Sequence, residues 1–333
     1  MSKATIGILY NQPAAEGHPF FAASKDVLDQ VQAIEASLTE LARPSVRLPF
    51  SGDLTDLLVK IRQHSVVTVF NLCESVNENP KLIGHPAAIL EILGIPFSGS
   101  PAVALMLTTD KLLSKQLLVA NNITTPRFIA YEGKKIWNAA SLHYPVIAKP
   151  RFEDASIGID QESVFQDESS LLIGAPKLFA RHGSLVIEEF IAGREFNLSV
   201  FGYPKPHVLQ VAEIDFSKFP SELHRIVGYR AKWDTTAFEY HHSPRKFPDD
   251  LPLSLLNDLR GNALRTFSLF QLRDYGRIDF RVDSQNQVYV LEANANPCLS
   301  PDAGFTAAVA MEGLSYTAMT AEFIKFLTAR DVK

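Results

Sequence analysis

Acidic and basic side chains alternate with apolar ones along Tyr275–Pro297, a pattern that could do metal chemistry. The stretch reads as two strands joined by a two-residue turn at Gln285 and Asn286, because Asn tolerates the positive φ that hairpin turns demand. Such a loop sets the register of the strands. It places these residues opposite each other: Asp283 and Val288, Arg281 and Val290, Asp279 and Glu292, Arg277 and Asn294.

Side chains alternate between the two faces of a strand, so this register divides the hairpin into an apolar and a polar face. The apolar face, expected in the core, carries Ile278, Phe280, Val282, Tyr289, Leu291 and Ala293. The polar face carries Arg277, Asp279, Arg281, Glu292 and Asn294. Carboxylates that face each other directly repel, so Asp279 and Glu292 predict a cation between them. Asp, Glu and Asn oxygens suit Mg²⁺. The alternative is a solvated face on which Arg and Asp pair with each other.

Composition is that of an ordinary globular chain. The 333 residues suggest two or three domains, and 46% are hydrophobic while 21% are charged. The net charge of −5 gives no electrostatic footprint for nucleic acid or an anionic membrane. The two cysteines, Cys73 and Cys298, lie far apart, and no apolar run resembles a leader or a membrane span. A cytoplasmic protein is therefore expected.

Predicted strands and helices alternate in the N-terminal part of the chain. Apolar runs at 5–10 and 66–70 predict buried strands, and periodic patterns over 20–41, 53–62 and 86–93 predict helices. This β-α-α-β-α order predicts a parallel sheet covered by helices. Ligands of such sheets sit beyond the carboxyl ends of strands, so the polar loop at 71–79 is a candidate substrate wall.

The sequence contains neither a Walker phosphate loop nor a dinucleotide glycine motif. If phosphates bind, lysines and metal must hold them. Lysines at the ends of predicted elements are the candidates, namely Lys111, Lys149 and Lys232. Lys149 stands out because it ends the apolar run Pro145–Ala148, where a solvated lysine is unexpected.

Several motifs occur together in a fixed order. They are Gly94–Ser100 with Asp110-Lys111, Pro145–Pro150, Val186–Glu195, Ala231–Trp233, Gly276–Phe280, Leu291–Asn294 and Gly313–Tyr316. This set resembles the ATP-grasp ligases, and most closely the D-alanine–D-alanine ligases, from about Val66 to the C-terminus. The resemblance implies an α/β, ATP-grasp fold of three α/β domains, with ATP held between the central and C-terminal domains. The implied units are an N-terminal α/β domain at 1–98, a central domain at 99–190 and a C-terminal domain at 191–333.

The same resemblance implies an ATP site. Lys111 and Lys149 would contact phosphates. Glu188 and the backbone of the hinge at 189–191 would bind the adenine edge, and Glu195 would bind the ribose hydroxyls. The implied nucleotide contacts together are Lys111, Lys149, Glu188, Glu189, Phe190, Ile191, Glu195, Lys232 and Leu291. Asp279, Glu292 and Asn294 would hold two Mg²⁺ ions, or Mn²⁺ in their place. Arg277 would stabilise the transition state, Lys232 would reach the terminal phosphates, and Ser156 would belong to a lid loop.

The segments that would bind the substrates depart from the family pattern. Glu16 stands loosely where the family binds an amine, and the loop with Asn71 and Glu74 replaces a His-Gly motif. The family's Gly and Ser that cradle the second D-alanine align with Cys298 and Ala303. The resemblance therefore implies amino-acid-like substrates of unspecified identity, and a homodimer formed through the N-terminal domain.

The predicted reaction is acyl-phosphate formation from ATP and a carboxylate, followed by attack of an amine. Because water would hydrolyse the acyl phosphate, a closing lid is expected at 150–159 and 229–239. Three alternatives remain open: a ligase for a modified dipeptide or secondary metabolite, a catalytically silent nucleotide-binding regulator, and a phosphotransferase that stops at the phosphorylated carboxylate. A nucleophilic role for Cys73 or Cys298 is not expected, because free Cys is commonly a small apolar filler.

Overall fold

The computed structural model describes residues 5–134 and 139–330. Residues 1–4, 135–138 and 331–333 lie outside the described residues. Three sheets organise the chain, and each falls inside one of the three segments predicted from the sequence.

The first sheet is parallel, with strand order β2-β1-β3. Its elements are β1 (Thr5–Asn11), α1 (Phe21–Glu40), β2 (Ser45–Phe50), α2 (Leu54–Gln63), β3 (Val66–Asn71) and α3 (Gly84–Ile92). The predicted order lacked β2, because Pro49 and Arg47 interrupt its apolar pattern. The parallel sheet is confirmed. Helices α4 (Ala102–Thr109) and α5 (Lys111–Ala120) follow, and α4 was not predicted.

The second sheet is antiparallel, with strand order β4-β7-β5-β6. It comprises β4 (Phe128–Tyr131), β5 (Val146–Pro150), β6 (Val164–Phe165) and β7 (Leu185–Glu189), and α6 (Glu168–His182) packs on it. Residues 80–82, 139–141 and 161–163 form short 3-10 turns. The pairing of β5 with β7 places Lys149 and Glu188, which both belong to the predicted nucleotide site, on neighbouring strands.

The third sheet has the order β11-β10-β8-β12-β13, with β9 paired to β8. Its strands are β8 (Arg194–Gly202), β9 (His207–Val208), β10 (Ala212–Ile214), β11 (Arg245–Lys246), β12 (Asp274–Val282) and β13 (Val288–Asn294). Its helices are α7 (Tyr229–Trp233), α8 (Phe238–His242), α9 (Leu253–Leu269), α10 (Gly304–Met311) and α11 (Tyr316–Arg330). An aromatic cluster buries α11 against α1 and β12.

The hairpin predicted from the sequence is β12–β13, and its register is correct at the polar end. Arg277 faces Asn294 and Asp279 faces Glu292. Nearer the turn the prediction was wrong, because the loop has three residues and ends on an Asn286 with φ 61°. A bulge at Leu291 compensates, since Phe280 pairs with Val290.

Between the bulge and the turn, the opposite face of β13 from the predicted one packs into the core. Val288 and Val290 are buried, with 4% and 1% of their surface exposed. Tyr289 was predicted to be in the core, but it lies opposite Arg281 and is partly exposed. Leu291, the extra residue, lines a cleft and does not enter the core. The remaining residues of the predicted apolar face are buried: Ile278, Phe280, Val282 and Ala293.

Candidate functional site

A cleft of about 480 Å³ runs between the second and third sheets and reaches α1 and α10. Most of the residues predicted to form a site line it: Lys149, Ser156, Glu188, Glu189, Phe190, Ile191, Glu195, Lys232, Arg277, Asp279, Leu291, Glu292, Asn294, Glu74, Cys298 and Ala303. Lys111 lies just behind the lining, with its Nζ 3.8 Å from Oε2 of Glu292. Glu16 is exposed and Asn71 is buried, and neither lines the cleft.

The polar end of the hairpin carries a network of charged contacts. Arg277 donates from Nε and Nη2 to the two oxygens of Asp279, each at 2.8 Å. Asn197, on the neighbouring strand β8, donates to the same carboxylate at 2.8 Å. The Arg–Asp pairing that the sequence left as an alternative therefore exists, along β12 and not across the hairpin. Asn294 lines the cleft beside it.

Glu292 sits within a group of cations. Burial alone would raise its pKa, but the charges of Lys111, Lys149, Lys232 and Arg277 outweigh burial and lower the pKa of Glu292 to about 2. Burial and the charge of Arg277 lower the pKa of Lys232. A group with more positive than negative side chains is an anion receptor. The centre of the cleft is suited to phosphate groups.

Glu188 is the most enclosed carboxylate of the cleft, with 1% of its surface exposed. Lys115 and Lys149 form ion pairs with its two oxygens. Burial opposes ionisation, but these two charges outweigh burial and lower the pKa of Glu188. Lys115, from α5, was not singled out from the sequence, because a lysine within a helical segment is most often an exposed surface charge. Buried ion pairs of this kind fix side-chain positions more than they stabilise the fold.

The segment after β7 is tied to the third sheet by Arg281. Its guanidinium lies 2.8 Å from a carboxylate oxygen of Glu195 and 5.3 Å above the ring of Phe190. It also donates to the carbonyl oxygen of Gly193 at 3.4 Å and to that of Arg225. Burial raises the pKa of Glu195, and the charge of Arg281 opposes this. One buried arginine thus holds the predicted hinge and the predicted ribose contact together.

Both segments predicted to form a lid meet over the cleft. Ser156, at φ 61°, donates its hydroxyl to the carbonyl oxygen of Val227 at 2.7 Å. Trp233 donates its indole N–H to the carbonyl oxygen of Ala155 at 3.0 Å. The backbone N–H of Tyr229 donates to Ile159 at 2.8 Å. Loop 150–159 and segment 229–239 are therefore hydrogen-bonded to each other.

The opposite end of the cleft is acidic, and neutral groups hold its carboxylates. Asp26 of α1 accepts from the thiol of Cys298 at 2.8 Å and from the hydroxyl of Ser300 at 2.9 Å. The amide of Gln30 donates to Asp26 at 3.3 Å and to Glu74 at 2.9 Å. Burial raises the pKa of Glu74 to about 7. Asp26 and Ser300 were not predicted, because no spacing links α1 to the loop after β13.

The two cysteines are weakly acidic in this setting. Burial raises the pKa of Cys73, and burial together with Asp26 raises that of Cys298. A nucleophilic cysteine needs the opposite shift, since the thiolate is the reactive form. The thiol of Cys298 serves here as a hydrogen-bond donor to Asp26.

Two solved structures of similar fold are D-alanine–D-alanine ligases. The chain superposes on D-alanine–D-alanine ligase from Bacillus anthracis complexed with ATP with a TM-score of 0.77, at 20% identity and over 98% of both chains. The ligase from Coxiella burnetii gives a TM-score of 0.72 at 15% identity, over 99% of this chain and 95% of the other. The fold is that of the ATP-grasp ligases.

Sequence comparisons identify the family. A sequence model described as "D-ala D-ala ligase C-terminus" matches residues 119–325. D-alanine–D-alanine ligase from Moorella thermoacetica is 29% identical over 81% of this chain and 86% of its own length. An uncharacterized protein, y4sG of Sinorhizobium fredii, is 30% identical over 75% of this chain and 71% of its own length.

The chain belongs to the D-ala D-ala ligase C-terminus family, whose members are ATP-dependent ligases that form C–N bonds. The family resemblance and the fold class predicted from the sequence are confirmed. Within residues 5–134 and 139–330, no helix combines the length and the apolar character that a membrane crossing requires.

Proposed function

We propose that the protein joins the carboxylate of one amino-acid-like substrate to the amine of another at the expense of ATP. In the first step a carboxylate oxygen attacks the γ-phosphorus, the bond to ADP breaks, and an acyl phosphate forms. In the second step the amine attacks the acyl carbon, phosphate leaves, and the nitrogen loses a proton. Anions approach anions in the first step, so positive charge must provide most of the stabilisation.

The observation that supports this proposal is the convergence of lysine side chains and of the oxygen-bearing side chains of Asp279, Glu292 and Asn294 on one cleft. Lys149 lies on β5 and Lys232 on α7, and the charges of both act on Glu292. We assign Lys111, Lys149 and Lys232 to the phosphates. We assign the adenine edge to Glu188 and the backbone of 189–191, which includes Phe190 and Ile191, with Leu291 beside it. Glu195 would take the ribose hydroxyls.

Asp279, Glu292 and Asn294 fit Mg²⁺. Among the described residues no group of three or more His, Cys, Asp or Glu forms a protein-only metal cage. Mg²⁺ does not require one, because it is commonly held by one or two carboxylates together with substrate phosphates. The low pKa of Glu292 keeps that ligand ionised. When bound, the metal would neutralise the phosphate oxygens that the lysines do not reach.

Arg277 and Ser156 have supporting roles in this assignment. Arg277 is held in place by Asp279, and its guanidinium faces the cleft where charge would develop on the acyl carbon's oxygen. Ser156 joins the lid loop to the carbonyl of Val227. The lid would exclude water from the acyl phosphate.

The substrate assignment rests on the relatives and on the acidic end of the cleft. The relatives from Moorella thermoacetica and Carboxydothermus hydrogenoformans are named D-alanine–D-alanine ligases, the latter at 32% identity over 70% of this chain. We propose that Glu74 and Cys298 line the substrate end and that Ala303 lies beside it. Because the segments at this end depart from the family pattern, we expect substrates other than D-alanine. Glu16 and Asn71 do not line the cleft, and this assignment gives them no contact with a substrate.

Three coarser assignments accompany this function. We propose domain divisions near residues 98 and 190, which fall between the three sheets. We propose a cytoplasmic protein, in keeping with cysteines that are both free. We propose a homodimer formed through the N-terminal domain, on family resemblance.

The test is ADP formation with Mg²⁺ and every pair of common D- and L-amino acids, followed by mass spectrometry of the products. We expect an amide in amounts equal to ADP for at least one pair. Glu292→Ala should abolish this turnover while Glu312→Ala, an exposed change outside the cleft, should not. ADP formation that depends on no amino acid would contradict the proposal, and ADP with a phosphorylated carboxylate but no amide would indicate a phosphotransferase.

A further inference from the structure

Arg245 is the arginine of the cleft that the site assignments above leave unused. It belongs to the short edge strand β11 and pairs through its backbone with Ile214 of β10. Its side chain reaches into the lining of the cleft. There the guanidinium lies against Gly304, where an added Cβ would come within 3.3 Å of Nη2 and 3.4 Å of Nε. Arg245 therefore ends beside the start of α10, next to Ala303.

Other charged groups around Arg245 have partners. Arg277 and Arg281, which line the same cleft, each contact a carboxylate at 2.8 Å. Lys246, its neighbour on β11, lies 3.4 Å from Glu213. In the described parts of the chain, by contrast, no carboxylate lies within 4.0 Å of the Arg245 guanidinium. Asp302 is the acid whose charge acts on it, and that side chain is exposed.

The surroundings of Arg245 favour the arrival of an anion. Burial and the charge of Arg277 lower the pKa of Arg245. A partly desolvated guanidinium beside a like charge gains most from a bidentate carboxylate partner. Ala303, the N-cap of α10, offers no side-chain acceptor to the first turn of that helix. Within the described residues no carboxylate contacts this guanidinium, and the charge of the exposed Asp302 only partly offsets the effects of burial and of Arg277.

The proposed reaction leaves one carboxylate available to bind Arg245. When a ligase joins two amino acids, the carboxylate of the first is phosphorylated and becomes the amide carbonyl. The α-carboxylate of the amine substrate does not react and stays ionised in the product. The guanidinium of Arg245, which lines the cleft beside Gly304 and has no contacting carboxylate among the described residues, suits this spectator carboxylate.

We propose that Arg245 binds the non-reacting carboxylate of the amine substrate, so that the amine substrate is an amino acid and not a simple amine. This inference rests on the proposed ligase function and adds a specificity-determining residue to it. Arg245 selects by its forked donors, which a carboxylate matches and a carboxamide does not. Lysine at this position would retain the charge without the fork.

Equilibrium binding and turnover test the inference separately. Each common D- and L-amino acid is titrated calorimetrically into the protein saturated with ADP and Mg²⁺, alongside its carboxamide. We expect the wild type to bind at least one amino acid about 10–100-fold more tightly than its amide, the usual range for a charge-assisted contact. Arg245→Met should lose this preference, Arg245→Lys should keep part of it, and Lys246→Met, the matched control on the same strand, should keep it all.

The outcomes are distinguishable. Equal binding of amino acids and amides by the wild type would overturn the inference, and so would a preference that survives Arg245→Met. A loss of ADP affinity in Arg245→Met with the carboxylate preference intact would show a nucleotide contact and overturn it as well. Where turnover is observed, the KM of the amine substrate should rise about 10–100-fold in Arg245→Met while the KM of ATP stays constant. Binding preference without any amide product would reject the ligase function and leave Arg245 as a carboxylate receptor.

Discussion

The two ends of the cleft differ in the groups that hold their buried carboxylates. At the proposed nucleotide end, the carboxylate of Glu188 is paired with two lysines and that of Glu195 with an arginine. At the proposed substrate end, Asp26 and Glu74 are held by a thiol, a hydroxyl and an amide, and within the described residues no carboxylate contacts Arg245. The protein itself therefore neutralises the buried carboxylates of the first end, whereas at the second end the described residues leave Asp26 without a contacting cation and Arg245 without a contacting carboxylate.

The largest expected effect lies at the nucleotide end. Glu188→Leu leaves Lys115 and Lys149 buried without their partner, and removing one member of such a group costs about 3–5 kcal/mol of unfolding free energy. Urea denaturation measures this change. Glu189→Leu, at the next position but partly exposed, is the control and should cost far less. Equal costs for the two variants would show that the ion pairs do not organise this end.

The next effect concerns nucleotide affinity. Arg281→Met removes the charge that holds Glu195, so we expect ATP to bind about 10-fold more weakly, the loss of one charge-assisted contact. Calorimetric titration with ATP and Mg²⁺ measures the affinity. Arg194→Met is the matched control, because Arg194 pairs with Glu213 outside the cleft. Unchanged ATP affinity in Arg281→Met would contradict the assignment of Glu195 to the ribose hydroxyls.

At the substrate end, stability should depend on pH through Glu74. Its pKa is raised from 4.5 to about 7, so the folded protein holds a proton that the unfolded chain has lost between these values. Stability should therefore fall as pH rises from about 4.5 to 7, and the loss is complete above the folded pKa. Glu74→Gln should flatten this decline, measured as the melting temperature against pH. A variant that melts in parallel with the wild type at every pH would contradict the assignment.

The smallest effect separates the two ends most clearly. Asp26→Asn removes a charge that no cation among the described residues contacts, and the hydroxyl of Ser300 can accept from the new amide. We expect the unfolding free energy to change by less than about 1 kcal/mol. The same denaturation experiment that measures Glu188→Leu reports it. A loss as large as that of Glu188→Leu would mean that both ends are equally dependent on their carboxylates.

The hairpin and its polar face were predictable from the sequence, because alternation and opposed carboxylates are local signals. The pairing of Asp279 with Glu292 was predicted correctly despite an assumed two-residue turn, since the bulge at Leu291 offsets the third loop residue. The bulge itself leaves no such signal, so the exposed face of Tyr289 was missed. Asp26, Lys115 and Arg245 reach the site from distant segments, and only tertiary packing brings them there.

The most direct measurement follows the oxygen atoms of the reaction. The amino acid pair that supports ADP formation is supplied with its reacting carboxylate labelled with heavy oxygen, and the inorganic phosphate is analysed by mass spectrometry. An acyl phosphate predicts that each amide formed is accompanied by a phosphate carrying a labelled oxygen. Amide with unlabelled phosphate, or ADP without amide, would contradict the account.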